Sequence, residues 1–453
     1  MDAAGAIAYL HSLYRGGEPR LGLGRVAALL ARLGDPHQAM RTVHITGTNG
    51  KGSVAAQAAS ILGRAGLRTG LFTSPYLERF GERIRLDGRE ISGRRLASLV
   101  ARLRAAIEEL TAAGGAAPTE FEAVVALACL YYQAEAADVV VWEVGIGGRH
   151  DATNMVPGSL VSVITSIGLD HVERIGPTIE DIAREKAGII RPGGVVVTGR
   201  LPAGPAAVVE AEAAAQDATV LALGRDFDCE PTRLDDNGLE VVVHGLAGNY
   251  PPLRSGLLGA HQADNLAVAV AAVEAANRGG LGLDATCLDR AVVAGAAATR
   301  WPGRIEVLCH DPLVVLDGAH NPAAVKALAD TVQAVYPGRR AICVIGSLDG
   351  HAHEALLTDL APLATEIIVT TPPFAPRAVP AERFARLIKA AYPDLRLAAV
   401  PAPAAAIDAA LERLGTGRDD AMLLVTGSLY LAGEARPHLR ARLAGLSSDR
   451  PEV

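Results

Sequence analysis

Twice along this chain, short β-branched runs alternate with Ala-rich stretches long enough to be helices, and no other feature limits the fold as much. The first series is VHIT (43–46), TGLFT (69–73), DVVVWEVG (138–145), LVSVITSIG (160–168) and GGVVVTG (193–199). Each run is apolar on both faces, the pattern of a strand covered above and below by helices, hence of a mostly parallel sheet. Helix starts are visible between them. Thr119 and Thr178 are hydroxyl caps, each followed three residues later by an acid, Glu122 and Asp181. From about 218 to 258 the pattern changes to short strands with turn residues, a small β excursion. HQADNLAVAVAAVEAANRGG then returns to helix and ends on glycine. After GAAATRWPGR (295–304) the alternation restarts with RIEVLC, PLVVLDG, AICVIGSL, EIIVTTPP, LRLAAV and AMLLVTGSL. The expected architecture is α/β. A P-loop-type domain with a parallel sheet covers 1–295, a linker 296–302, and a smaller Rossmann-like α/β domain 303–453.

Bulk properties narrow the function classes. At 453 residues, half of them apolar, the chain exceeds one small core. No apolar run reaches the roughly 18 residues of a membrane span. The opening MDAAGAIAYLHSLYRGG lacks a basic segment followed by an apolar one, so no secretory leader is expected. Five dispersed cysteines form no metal-type pair and read as reduced thiols of a cytoplasmic protein. A net charge of −7 gives the surface no general attraction for nucleic acid, so a polyphosphate must be held by local groups.

One loop supplies such groups. In VHITGTNGKGS (43–53) only Thr48 and Asn49 separate Gly47 from the Gly50-Lys51 pair, where a Walker A loop has four residues. Gly52 then precedes the hydroxyl of Ser53. Glycines allow backbone N–H groups to turn toward phosphate oxygens, and a helix beginning near Ser53 aims its positive end at the same anion. Lys51 can neutralise terminal phosphates and Ser53 can reach a magnesium ion. The bland alternative is a Gly-rich strand-to-helix turn without a ligand.

GTNGKGS, TSPYL (73–77), TEFEA (119–123), WEVGIGGRHDATN (142–154), SVITSIGLDHVERIG (162–176), EKAGII (185–190), HQADN (261–265), WPGRIE (301–306), LDGAHNP (316–322) and TGSLYLAGE (426–434) follow one another in this order. Together they resemble the folylpolyglutamate synthase/dihydrofolate synthase branch of the Mur ligase superfamily, from LGLGR (21–25) onward. The shortened loop is the form that superfamily uses. The resemblance implies ATP-dependent ligation of L-glutamate to a folate or dihydropteroate carboxylate through an acyl phosphate. It also implies small-molecule substrates, no nucleic-acid or membrane partner, and a monomer.

Residue by residue, the resemblance makes Lys51, Glu143, His171 and Lys186 the catalytic set. Glu143, His171 and Ser74 each follow a strand, where open α/β sheets bind ligands. With Ser53 and Lys186 they become the ligands of Mg²⁺, two ions in all. Lys186 is implied to be carbamylated, which turns a cation into a carboxylate-like ligand. Gly47, Thr48, Asn49, Gly50, Lys51, Gly52, Ser53, Asn265, Arg304, Asp317 and His320 are implied to hold ATP. Lys51 lies in the first domain and Arg304 and Asp317 in the second, so ATP is expected to use both and closure to complete the site. Thr119, Phe121, Arg149 and Asp151 match positions near the pterin or its carboxylate, and Ser428 matches one near the incoming glutamate. For Phe121, a place in the core of an amphipathic helix is an equal reading. For Asp317–Asn321, so is a helix N-terminal turn, since Asn321-Pro322 suits cap and N1.

The chain departs from the family at three places. Tyr76 stands where many relatives have His, His150 where many have Leu, and SLDGHAH (347–353) where an Asp-Lys-Asp motif is common, with Asp349 filling one role. Competing readings fit less well. A Mur-type cell-wall ligase should carry an extra N-terminal domain for its nucleotide-sugar peptide, and another Mur-like ATP-dependent amide ligase acting on a different carboxylate is the next reading. A P-loop kinase or NTPase needs no Arg304–Asp317–His320 set, and a non-catalytic binding module would tolerate loss of Lys51, Glu143 or His171.

Overall fold

Eight strands make the larger sheet: β1 (Thr42–Thr46), β2 (Thr69–Phe72), β3 (Ile84–Leu86), β4 (Arg89–Glu90), β5 (Val139–Glu143), β6 (Ser159–Ile164), β7 (Val195–Thr198) and β8 (Thr219–Ala222). Their order is β4-β3-β2-β5-β1-β6-β7-β8. The six strands from β2 to β8 in that order are parallel, and β3 and β4 add an antiparallel hairpin at one edge. These coordinates are a computed structural model, which describes residues 1–14, 22–170, 172–350, 353–374, 377–415 and 420–448.

The chain divides into two compact units. The first holds Met1–Thr232, Glu240–Gly256 and Gln262–Thr299. The second holds Arg233–Leu239, Leu257–His261 and Arg300–Val453.

Residues of β1 and β5 are buried on both faces, as a parallel sheet flanked by helices requires. Bulk near the centre comes from a few aromatics. The rings of Phe72 and Trp142 lie 4.5 Å apart, and the Tyr132 hydroxyl donates to the carbonyl of Leu71 at 2.7 Å. Gly70 leaves the room for Tyr132, since a Cβ there would sit 2.7 Å from the ring. Both expected capping boxes form, Thr119 with Glu122 on helix Glu120–Ala134 and Thr178 with Asp181 on helix Ile179–Ala187. Each hydroxyl and acid satisfies backbone N–H groups that the first turn leaves unpaired.

Two expectations need correction. The helix after the Gly-rich loop begins at Lys51, two residues before Ser53, because Gly50 takes the left-handed conformation (φ 86°) that turns the chain directly into it. The β excursion is smaller than the sequence suggests. Its first segment becomes β8 and extends the large sheet, and only β9 (Asp228–Asp235), β10 (Gly238–His244) and β11 (Asn249–Ser255) form a separate three-stranded sheet. The β3–β4 hairpin was not anticipated at all.

The second unit carries a six-stranded sheet. In chain order its strands are β12 (Glu306–His310), β13 (Leu313–Leu316), β14 (Arg340–Ile345), β15 (Ala364–Val369), β16 (Leu397–Ala399) and β17 (Ala421–Thr426). Their order is β12-β13-β17-β14-β15-β16, parallel except for β12 against β13. Arg436, itself 7% exposed, grips Glu306 through two nitrogens at 2.7–3.0 Å, a bidentate pair that ties the last long helix to the edge strand. Among the described residues, no helix is long and apolar enough to cross a membrane.

The helix Lys51–Arg64, which presents the Gly-rich loop, is backed by helix Ala285–Ala298. Contact is closest at Gly295, where a Cβ would meet the Ile61 Cα at 2.6 Å and the Ile61 nitrogen at 2.8 Å. Backbone cannot yield as a side chain would. We expect Gly295→Ala to destabilise the first unit by about 1–3 kcal/mol, read by denaturant unfolding. An unchanged midpoint would show that the two helices are not held at this separation.

Candidate active site

The Gly-rich loop leaves β1 and is laced to the end of β6. The Thr48 N–H donates to the Ser166 carbonyl at 2.8 Å and the Asn49 N–H to the Ser166 hydroxyl at 2.9 Å. In return the Thr165 hydroxyl donates to the Asn49 carbonyl at 2.6 Å, and the Thr48 hydroxyl bonds the Gly168 carbonyl and N–H at 3.1 and 3.0 Å. With Thr48 and Asn49 so anchored, two inserted residues suffice where longer loops need four. Glycines are required where neighbours crowd in. A Cβ on Gly47 (φ 154°) would lie 1.9 Å from the Thr165 hydroxyl, and one on Gly50 would lie 2.5 Å from Oδ1 of Asn265. Asn265 is thus brought directly to the loop, as expected from HQADN. Its amide donates to Gln262 Oε1 at 2.9 Å, and Gln262 Nε2 stands 3.4 Å from the buried Ser53 hydroxyl. Gln262 was not singled out from the sequence, although its position three residues before Asn265 puts both on one helical face.

Lys51 arches back over its own loop, donating to the carbonyls of Gly47 at 2.8 Å and Thr48 at 3.2 Å. It lines a small cavity together with Thr46, Gly47, Thr48, Val144–Gly147, Asp170, Ile175 and Lys186. Lys186 is 4% exposed, on helix Ile179–Ala187. Burial, reinforced by the positive charge of Lys51, lowers its ammonium pKa to about 7, opposed by Asp170, Glu185 and Asp151. Two amines therefore face one confined space. Asp170 was passed over in the sequence, where attention fell on His171. Its signal was equally visible, an acid one residue earlier after the same strand. His171 itself lies outside the described residues.

Of the expected metal ligands, Glu143 ends β5 opposite Ile45 and is 4% exposed. Its Oε2 accepts the N–H of Ser74, at the end of β2, at 3.0 Å. The structure thus joins Ser74 to Glu143, Lys51 to Lys186, and Ser53 to Gln262. Among the described residues no three His, Cys, Asp or Glu side chains gather into a metal-holding group. A buried carboxylate and two hydroxyls are nevertheless hard oxygen donors of the kind a small divalent cation takes, with water completing its shell.

The segment Gly145–Asn154 is organised from within by Asp151. This carboxylate is 9% exposed and accepts from the N–H of Ile146 at 3.0 Å, the N–H of Thr153 at 3.0 Å and the Thr153 hydroxyl at 2.6 Å. Burial raises its pKa despite these donors. The Thr153 hydroxyl proton is committed to Asp151, so its oxygen accepts from Nε2 of His44 at 3.1 Å. His44 is fully buried in β1, and desolvation depresses its pKa to about 3, which keeps it neutral. His44, Thr153 and Asp151 form a relay from the strand under the Gly-rich loop to the backbone that walls the cavity. Asp151, which the family resemblance places near the pterin or its carboxylate, is also held by the protein's own donors. Thr46 helps from the same strand, its hydroxyl donating to the Gly147 carbonyl at 2.6 Å.

The other candidates are placed less close to the cavity. Thr119 caps its helix, and its partner Glu122 is held bidentately by Arg25 at 2.8 and 3.1 Å. Phe121 packs part-buried against the core, and a Cβ on Gly145 would strike its ring at 2.6 Å. Arg149 pairs with Glu212 at 2.9 Å and His150 with Glu185 at 3.0 Å, both at the surface. Tyr76 lies under the guanidinium of Arg83, 5.2 Å from ring centre to Cζ.

In the second unit, both oxygens of buried Asp317 accept backbone N–H groups, from Ile305 and Ala319, at 2.7 Å. Asn321 caps helix Pro322–Val335 through the Ala324 N–H, so the helix-turn reading of LDGAHNP holds. Arg304 is folded against this turn, with Nη1 3.1 Å from the Gly303 carbonyl, and Nδ1 of His320 is 2.9 Å from the Gly318 carbonyl. Ser428 is buried, and its hydroxyl accepts the Leu431 N–H at 3.0 Å. Asp349 of the departed motif pairs with Arg383 at 3.3 Å.

Comparison with known proteins gives a consistent picture. Residues 45–273 match the Mur ligase middle domain and residues 303–429 the Mur ligase glutamate ligase domain. Folylpolyglutamate synthase of Lacticaseibacillus casei is 35% identical over 97% of this chain and 99% of its own length. Dihydrofolate synthase/folylpolyglutamate synthase of Bacillus subtilis is 37% identical over 76% of this chain and 80% of its own. Among solved structures, Mycobacterium tuberculosis folylpolyglutamate synthase complexed with ADP and AMPPCP superimposes with a TM-score of 0.88. It is 34% identical and covers 96% of this chain and 98% of that one.

The relay makes a prediction independent of any ligand. Thr153→Val removes the partner of both Asp151 and His44 inside the protein, so we expect a loss of about 2–4 kcal/mol in unfolding free energy. Thr153→Ser should restore most of it. Equal stability of the Val and Ser variants would show that the hydroxyl holds nothing.

Proposed function

The chain belongs to the Mur ligases, in the folylpolyglutamate synthase/dihydrofolate synthase branch, and from that premise we propose how its own residues carry out the reaction. It is an ATP-dependent ligase that joins L-glutamate to a folate or dihydropteroate carboxylate, releasing ADP and phosphate. The carboxylate takes the γ-phosphoryl group of ATP, and the glutamate amine then displaces phosphate from the acyl phosphate. The observation that carries the assignment of roles is the cavity in which Lys51 and Lys186 meet beside the Gly-rich loop.

The obstacle is charge. A carboxylate and a triphosphate about 4 Å apart repel by roughly 4 kcal/mol at an effective dielectric of 20. Lys51 now rests on the Gly47 and Thr48 carbonyls, and a phosphate oxygen in their place would receive the same ammonium without a change of loop. The amides at the start of helix Lys51–Arg64 face the same anion. Asn265, against Gly50, sets the nucleotide's place on the loop. Bound Mg²⁺ supplies charge neutralisation and in-line alignment of the reacting oxygens. Ser53, Ser74 and Glu143 would hold it, with His171 and a carbamylated Lys186 as further ligands and two ions in all. Arg304, Asp317 and His320 are the further residues proposed to contact the nucleotide. Ser428 serves the glutamate, and Phe121 the flat pterin face.

The chemistry of Lys186 supports the proposed carbamylation. Only the uncharged amine captures CO₂, and an ordinary lysine is almost wholly protonated at neutral pH. Burial beside Lys51 brings this amine to about 7, so its reactive form is populated at physiological pH. The sign is definite. As pH rises through about 7 the native amine loses its proton while the unfolded one keeps it to about 10.4, so both carbamate formation and fold stability increase over that window.

Turnover tests the assignment of substrates. ADP release should require L-glutamate together with dihydropteroate, tetrahydrofolate or both in separate assays. Glutamate-independent ADP release, or none with either acceptor, would defeat it. Lys186→Met should leave the fold as stable or more stable, since a buried amine is replaced by an apolar chain of similar volume. It should lower kcat by about 10²-fold or more through loss of charge stabilisation in the transition state. Unchanged kcat would remove Lys186 from the mechanism. With ¹³C-bicarbonate, a carbamate resonance should appear at pH 8.5, fade at pH 6, and be missing from Lys186→Met at both.

A further inference from the structure

At the far end of the first unit, away from the Gly-rich loop, an open cleft of about 770 Å³ is walled by the β3–β4 turn and the residue preceding β2. The start of helix Gly93–Ala112 and the end of helix Glu120–Ala134 complete it. Four arginines line it, Arg68, Arg89, Arg94 and Arg95. Three carboxylates also line it, but each is already engaged. Glu135 pairs with Arg68 at 3.3 Å and Arg95 at 3.0 Å, Glu90 with Arg79 at 2.6 Å, and Asp87 accepts the Thr69 N–H at 2.8 Å. Arg89 and Arg94 are exposed and have no ion-pair partner among the described residues.

The charge placement runs against ordinary helix design. A first turn favours acids, because its N–H groups carry partial positive charge. Helix Gly93–Ala112 has no acid there and instead carries Arg94 and Arg95. On a chain with a net charge of −7, this helix start carries a local excess of positive charge. Hydroxyl groups of Ser92 and Ser98 and the phenol of Tyr131 line the same cleft and add neutral donors. Its volume falls in the range of small-molecule sites.

We propose that this cleft binds a small polyanion, with two or more phosphate or carboxylate groups spaced to meet Arg89 and Arg94 together. The site is separate from the catalytic one. Helix Glu120–Ala134 runs from the Thr119–Phe121 candidates at one end to Tyr131 and Glu135 in the cleft at the other, a span of about 22 Å for its 15 residues. Planar forks of this kind bind phosphate and carboxylate alike. Phosphate esters and short γ-glutamyl chains therefore share the required chemistry.

Calorimetry on the full chain with its nucleotide site filled by AMPPCP and Mg²⁺ separates these sources. Pyrophosphate and tri-γ-glutamate are titrated in parallel, with triglycine as a neutral control. At least one polyanion should bind with Kd below about 1 mM, and the better one names the preferred group. Arg89→Ala/Arg94→Ala should weaken that binding at least about tenfold and leave kcat and thermal stability unchanged, because neither side chain holds the fold. Failure of both polyanions to bind above the triglycine control, or equal binding by the double variant, would overturn the proposal.

Discussion

Two lysine amines share one confined cavity, and most of the active region is arranged around the cost of that placement. An ammonium buried beside another charge of the same sign is unstable, so one of them must lose its proton, react, or receive an anion. Lys186 is the one that yields, with its pKa brought to about 7, while Lys51 leans on loop carbonyls. The cavity is therefore prepared for negative charge before any substrate arrives. Preorganisation of this kind lowers a barrier because the protein need not rearrange when charge develops.

The remaining scaffold keeps that cavity in register. The Gly-rich loop is stitched to β6 through Thr48, Asn49, Thr165 and Ser166, and its wall on the other side is held by Asp151. Both attachments start from β1, one through the loop that follows it and one through His44 and Thr153. A single central strand thus positions the phosphate-binding turn and the backbone opposite it. Neutral His44 suits this role, since a charged imidazole there would face burial without a counter-ion.

Much of this was legible in the residues and some was not, for identifiable reasons. The parallel strands were readable because each is a continuous apolar run, and the capping boxes because hydroxyl and acid stand at fixed spacing. The β3–β4 hairpin has strands of three and two residues, too short for any periodic signal, and β8 has the composition of the excursion it was grouped with. Candidate residues with local duties, such as Thr119 and Ser428, were placed at strand or helix ends correctly. The cap role of Thr119 was itself readable from Glu122 three residues on, whereas that of Ser428, whose hydroxyl accepts the Leu431 N–H, was not. Asp151 shows the same limit. The residues mark it as a site candidate, and its three backbone and hydroxyl donors appear only in the fold. Depression of the Lys186 pKa could not be read either, because it comes first from burial in the fold and then from Lys51, distant in sequence and adjacent in space.

Isotope transfer puts the central claim, that a carboxylate is phosphorylated in this prepared cavity before an amine captures it, to its most direct test. With the acceptor carboxylate labelled by ¹⁸O, one labelled oxygen should appear in the released phosphate for each turnover. That oxygen attacks the γ-phosphorus, becomes the bridge of the acyl phosphate, and leaves with phosphate when the C–N bond forms. Phosphate free of ¹⁸O during glutamate-dependent turnover would contradict the account.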